Sequence, residues 1–247
     1  MLHYVRKGTG TTIVLIHGFL GSSDLFKELM NNLSLHFDVI AVDLPGHGKS
    51  ALQVEAYTVE AYAEKIVNVL KHEQVKQAIW LGHSMGGYIT LAAMADELFP
   101  ITKAILLHSA VNADTDEVKE KRTNQQIAIK KNGVAPFVKN VVPNFLAENS
   151  PPNLLEKAVE IANTTTIDGL VAALEAMKAR PTREKFINET STPVLIIEGA
   201  HDKIVPAITT NNEAVTKVVV DSGHLGMIED VDHVLQAIYT FLKNEHA

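Results

Sequence analysis

The 247-residue sequence contains no cysteine. Disulfide bridges, thiolate metal sites and a cysteine nucleophile are therefore all excluded. It also lacks any excess of positive charge. A formal net charge of −7 argues against nucleic acid or an anionic membrane as the main partner. No apolar stretch reaches membrane-spanning length, and Met1–Lys7 offers no signal-peptide core, so no membrane association and a cytoplasmic location are expected. Internal repeats and low-complexity tracts are missing as well. What remains is 46% hydrophobic and 21% charged, the balance of a globular chain with a substantial core.

Against this background the run Gly82-His83-Ser84-Met85-Gly86 is the most informative feature. It follows a short apolar strand pattern, Ala78–Leu81, and precedes a helix pattern of small and apolar residues, Met85–Ala95. Strand, tight turn and helix are the context in which a serine hydroxyl is bared as a nucleophile. The flanking glycines avoid collisions with strand and helix. The N-terminus of the new helix also aims backbone N–H groups at the place where negative charge would develop.

The rest of the chain alternates in the same way. Strand patterns fall at Thr12–Ile16, Asp38–Val42, Lys103–Leu107, Val194–Ile197 and Lys217–Val220, with Leu2–Arg6 as a candidate first strand. Most are apolar throughout, as expected for parallel strands covered on both faces. Helix patterns occupy Asp24–Leu33, Val59–His72 and Asp230–Lys243, with Ser23 or Asp24, Thr58 and Asp230 as candidate caps. The alternation predicts an α/β fold with a doubly wound, mostly parallel sheet. From Val111 to Thr190 no strand pattern recurs. Helical patterns at Asp116–Lys131, Val134–Val142, Leu154–Asn163 and Ile167–Ala179 predict an inserted all-helical cap, residues 111–190, between core segments 1–110 and 191–247. Ligands of open α/β sheets bind at the carboxyl edge, under such a cap.

A serine hydroxyl needs a base, and the base needs an orienting carboxylate. Around this kind of turn the chain order is serine, acid, histidine. Asp202 lies just past the strand pattern Val194–Ile197, and His224 just past Lys217–Val220. In a parallel sheet both loops and Ser84 emerge on one edge. His108 is the alternative base, and Asp114, Glu198 and Asp221 are the alternative acids. His17, His83 and His201 read as polar side chains satisfying nearby backbone, His47 as a turn residue, and His3, His36, His72, His233 and His246 as surface positions. The two N–H donors for an oxyanion are assigned to Met85, after the nucleophile, and to Phe19, in the loop after Thr12–Ile16.

Five ordered motifs now carry a family likeness: His17-Gly18-Phe19, Asp43-Leu44-Pro45-Gly46-His47-Gly48-Lys49-Ser50, Gly82-His83-Ser84-Met85-Gly86-Gly87, Gly199-Ala200-His201-Asp202 and Ser222-Gly223-His224. The chain resembles the α/β-hydrolase superfamily, in particular its compact capped serine hydrolases, a group that includes carboxylesterases and lactonases. The resemblance implies Ser84 as nucleophile, Asp202 as acid, His224 as base and the amides of Phe19 and Met85 as oxyanion donors. It assigns no catalytic role to Asp43 or His47. One departure is that family members usually begin with two strands before the His-Gly loop, whereas only Leu2–Arg6 is available.

The expected activity is cleavage of a small or medium ester, thioester or lactone through an acyl-serine, with no metal or organic cofactor. C–C bond or enol-lactone hydrolysis, or a ligand receptor retaining the triad, are the alternatives. Phe137, Val138, Val141 and Phe145 are candidate pocket lining. Lys130, Lys131, Lys139 and Arg180 are isolated cations, and without a visible arginine cluster in the cap the expected substrate is uncharged.

Overall fold

The computed structural model describes residues 1–52 and 57–243; His246 lies outside the described residues. Seven strands form one sheet: β1 (Tyr4–Lys7), β2 (Thr12–Ile16), β3 (Asp38–Val42), β4 (Ala78–His83), β5 (Ile101–Leu107), β6 (Val194–Gly199) and β7 (Val215–Val220), in the order β1-β3-β2-β4-β5-β6-β7. Only β1 runs antiparallel, against β3; the other pairs are parallel. β2, β3 and β4 are buried along their whole length, whereas the edge strand β7 is half solvated, consistent with the apolar runs of covered parallel strands.

The helices of the core are α1 (Lys27–Leu33), α2 (Val59–His72), α3 (Met85–Ala95), α9 (Gly226–Glu229) and α10 (Val231–Lys243). Along β5 and β6 the pleat divides the side chains between two layers. Ala104, Leu106, Val194 and Ile196 pack with Leu91 and Met94 of α3, while Ile105, Leu107, Leu195 and Ile197 join the main core with Val234, Ile238 and Phe241 of α10. Thr58 caps α2 by accepting the Ala61 N–H at 3.2 Å. The helix then buries Tyr62, Ile66, Val69 and Leu70 on one stripe, the three aliphatic side chains contributing about 1.5–3 kcal/mol each. The predicted first helix divides into a 3₁₀ turn at Ser23–Phe26 and α1, and its cap is Ser22, whose hydroxyl accepts the Asp24 N–H.

Between β5 and β6 lie only helices among the described residues: α4 (Asp116–Asn132), α5 (Val134–Val141), α6 (Pro152–Ala162), α7 (Ile167–Ala179) and the short, unforeseen α8 (Glu184–Glu189). Gly133, at φ 83°, closes α4. The segment is tied to the core where α7 begins: Gly46 and Gly169 approach so closely that a Cβ on either would meet the other's backbone within 2.3 Å. Among the described residues no helix is long and apolar enough to cross a membrane.

Candidate active site

The parallel register aligns the carboxyl ends of the central strands, with Ile16 opposite Gly82, His83 opposite Leu107, and Leu107 opposite Ile197. Ser84 follows β4 directly and adopts φ 51°, ψ −116°, a backbone state costing a non-glycine residue about 1–3 kcal/mol. The surroundings enforce it. The Ser84 N–H donates to the Leu107 carbonyl at 3.0 Å, and the Ser84 carbonyl accepts from the Ser109 hydroxyl at 2.8 Å and the Gly87 N–H at 2.9 Å. A Cβ on Gly82 would lie 2.2 Å from the Gly86 carbonyl oxygen, and one on Gly86 the same distance from that of Ile16. The turn therefore closes only with glycine at both positions.

The Ser84 hydroxyl lies 2.9 Å from Nε2 of His224, whose Nδ1 lies 2.8 Å from Oδ2 of Asp202. The direction follows from the acceptor: the carboxylate takes the Nδ1 proton, leaving Nε2 free to receive the one on Ser84. Burial pushes the Asp202 carboxyl upward. The hydrogen bond and charge of His224, the Ile204 N–H and nearby His108 outweigh that and hold it below the usual carboxylate range. The three side chains, 140 positions apart at their extremes, thus form one continuous hydrogen-bonded line.

Three further residues hold this line in place. His83, fully enclosed beneath the turn, donates from Nε2 to the His224 carbonyl at 2.8 Å. His108 accepts the Gly226 N–H at Nε2, 3.2 Å away, so its proton sits on Nδ1, which lies 3.8 Å from Oδ2 of Asp202. Burial, followed by the charge of His224, pushes the His108 pKa down to about 3. Glu229, which the motifs do not include, accepts four hydrogen bonds. The Gly223 and Leu225 N–H groups on either side of His224 donate at 3.1 and 2.9 Å. The Ala147 N–H and Ser150 hydroxyl of the helical segment donate at 2.8 Å each. Its trace in the sequence is a glutamate five residues after the histidine, at the end of a one-turn helix.

The alternatives weighed from sequence are engaged elsewhere. Asp114 is gripped by two arginines, Glu198 accepts the Ile208 N–H and faces Lys217, and the exposed Asp221 pairs with His201. His17 uses both ring nitrogens on backbone: Nδ1 donates to Gly18 and Nε2 accepts from Leu44. Asp43 accepts the Ser23 and Lys49 N–H groups and shapes its turn, and His47 donates from Nδ1 to Pro45. The loop after β2 crosses directly over the turn, since a Cβ on Gly18 would lie 2.9 Å from the Ser84 Cβ. Phe19 follows in that loop and Met85 opens α3. Among the described residues, neither N–H donates to a backbone carbonyl.

Ser84 and His224 open on a cavity of about 930 Å³ whose other wall is the helical segment. Val141 and Phe145 line it; Phe137 and Val138 instead pack inward, with Phe137 edge-on to Phe19. The expectation of a segment without clustered arginines fails. Arg122 and Arg180, from α4 and the end of α7, meet on Asp114, and Arg122 lines the cavity together with Lys121. Fifty-eight positions separate the two arginines along the chain, so linear sequence does not reveal the cluster. Lys130, Lys131 and Lys139 do not line it.

The alpha/beta hydrolase fold family matches residues 11–132. A relative from Mycobacterium phage D29, bearing the provisional name non-heme haloperoxidase, is 30% identical over 208 residues, covering 81% of this chain and 74% of its own length. The chain belongs to the α/β hydrolase superfamily. An esterase from Thermogutta terrifontis, 27% identical, superposes with a TM-score of 0.90 over 100% of this α/β hydrolase and 94% of that chain. The uncharacterized hydrolase YugF of Bacillus subtilis is 39% identical over 109 residues, 44% of this chain. The chain spans only 40% of that relative's length, and 64% of the dihydrolipoyllysine-residue acetyltransferase component of the acetoin cleaving system of Pseudomonas putida.

Proposed function

We propose that this α/β hydrolase is a serine hydrolase that cleaves small or medium esters, thioesters or lactones through an acyl-serine intermediate. The observation that carries the reading is the unbroken relay Asp202–His224–Ser84, with links of 2.8 and 2.9 Å, opening on a cavity. His224 Nε2 accepts the Ser84 proton as Oγ attacks the substrate carbonyl carbon. Asp202 holds the imidazole in the Nδ1–H tautomer and balances the cation that forms. The Phe19 and Met85 N–H groups receive the oxyanion. Collapse of the tetrahedral intermediate passes the proton to the leaving oxygen or sulfur and leaves acyl-Ser84. Water, deprotonated by His224, then releases the acid and restores the serine. The helical segment 111–190 acts as the cap that forms the far wall of the pocket.

Similarity to an esterase at 27% identity over the whole chain supports this reading. The test is Ser84→Ala assayed on p-nitrophenyl butyrate. Losing the nucleophile should cut kcat by about 10³-fold or more, with an unchanged circular dichroism spectrum. Wild-type turnover by the variant refutes the assignment.

A further inference from the structure

The cavity beside Ser84 is electrostatically opposite to the molecule that holds it. The chain carries a net charge of −7. Yet three cationic side chains, Lys121, Arg122 and Lys203, line this cavity against one carboxylate, Glu148, which already pairs with Lys203 at the rim. Low-dielectric walls concentrate such a field and draw in ligands of the opposite sign.

Arg122 is built into the wall. Its Nε and Nη2 bind the two oxygens of Asp114, which is itself enclosed. Arg180 also reaches Asp114, at 2.7 Å, and donates to the Met177 and Asn112 carbonyls. A structural staple between α4 and α7 would need only one of these arginines. Two guanidinium groups on a single buried carboxylate leave one positive charge uncompensated, which is costly out of water unless an anion arrives to balance it. Arg180 donates to its carbonyls, and its guanidinium carbon sits over the Tyr88 ring, 4.1 Å from the centroid. Nη1 of Arg122 carries no hydrogen bond among the described residues, and Arg122, unlike Arg180, lines the cavity. Tyr88, one helical turn after Ser84, lines the same cavity. The remaining lining is largely apolar, including Val118, Leu155 and Met177. One guanidinium donor beside a largely apolar lining suits a single small anionic group.

We propose that the substrate bears an ionised carboxylate in addition to its scissile carbonyl, and that Arg122, beside Tyr88, receives it. The inference rests on the hydrolytic reading of Ser84 and narrows the substrate class to monoesters, thioesters or lactones of carboxylate-bearing acids or alcohols.

The test compares kcat/KM for matched pairs that differ in one charge. Monomethyl and dimethyl glutarate place the carboxylate on the acyl side. Acetoxyacetate and its methyl ester place it on the alcohol side. At least one ionised member should exceed its neutral partner tenfold or more, and the preference should shrink as sodium chloride is raised from 20 to 500 mM. Arg122→Gln should reduce the ionised-to-neutral ratio at least tenfold. Because that change also loosens Asp114, a second arm titrates glutarate into Ser84→Ala by calorimetry, where saturable, salt-sensitive binding is expected. Equal rates for both pairs together with no glutarate binding overturn the proposal. A protein that binds glutarate but turns over no ester instead overturns the hydrolytic reading and leaves the anion site standing.

Discussion

Lowering the pH from 7 to 5 should destabilise this protein steeply, and the reason is the number of histidines it encloses. His17, His47, His83 and His108 are all buried, and burial lowers the pKa of each. Two of them are also fixed as neutral by geometry: His17 and His108 each accept a backbone N–H on Nε2, which a protonated ring cannot do. His47 and His108 are pushed down to about 3, from an ordinary value of 6.5. Between those limits the unfolded chain binds a proton at each ring that the folded chain does not. Unfolding free energy therefore falls as the pH drops through 6.5, and the loss is complete only near 3. These two rings alone give a slope of about 2.7 kcal/mol per pH unit at pH 5, and a total loss of about 4 kcal/mol between pH 7 and 5. His17 and His83 add in the same direction. Asp43 and Asp202, whose carboxyls are held below their usual range, act in the same sense only at lower pH, so they do not blur this window.

Urea unfolding at pH 7, 6 and 5 measures the effect directly. With a slope of about 2–3 kcal/mol per molar urea, the midpoint should fall by about 1–2 M. Replacing one ring by a side chain that keeps its donor, His47→Asn, should lower the pH dependence by about one proton. A midpoint constant from pH 7 to 5, or a His47→Asn variant with the full wild-type slope, refutes the argument that these rings are neutral in the folded state.

Glu229→Gln should weaken both the loop that carries His224 and its contact with the helical segment. It replaces a charged acceptor of four donors by a neutral amide. For a partly exposed carboxylate the expected cost is about 2–3 kcal/mol of stability, read by thermal melting. A tenfold or greater fall in kcat on p-nitrophenyl butyrate should accompany it, and wild-type values in both assays contradict the placement. Asp202→Asn should lower kcat by about 10³–10⁴-fold, by favouring the wrong His224 tautomer. The fold should persist, because the Ile204 N–H can still donate to the amide oxygen at position 202. A variant retaining a tenth of wild-type kcat contradicts the role of Asp202.

The order of sheet and helices was legible because apolar runs of five or six residues mark covered parallel strands and Thr58 marks a helix start in a way that tertiary context does not reverse. The α2 boundaries at Val59 and His72 and the β2 and β3 boundaries coincide with the pattern. Edges were harder to place. β7 begins at Val215, two residues before its expected start at Lys217, because its backbone pairs with β6 regardless of which side chains face solvent. The helix at 24–33 divides because Ser22 accepts the Asp24 N–H and starts a tighter turn earlier.

Within the site, residues carried by local motifs, Ser84, Asp202 and His224, meet as the parallel topology requires. Residues whose importance is purely tertiary were invisible. Glu229 sits in no motif, and the Arg122–Asp114–Arg180 cluster joins positions whose proximity depends on how α4 packs on α7. The expectation of a helical segment without clustered arginines failed for that reason: charge is scattered along the chain, whereas a pocket collects it across helices.

The most direct measurement of the central claim is covalent labelling with a fluorophosphonate, followed by peptide mass spectrometry. The reagent forms a stable phosphonyl ester only with a serine whose proton a neighbouring base removes. The account predicts one equivalent of label on the peptide bearing Ser84, abolished by Ser84→Ala and strongly slowed by His224→Ala. Label on another residue, or undiminished labelling of Ser84 when His224 is replaced, would contradict it.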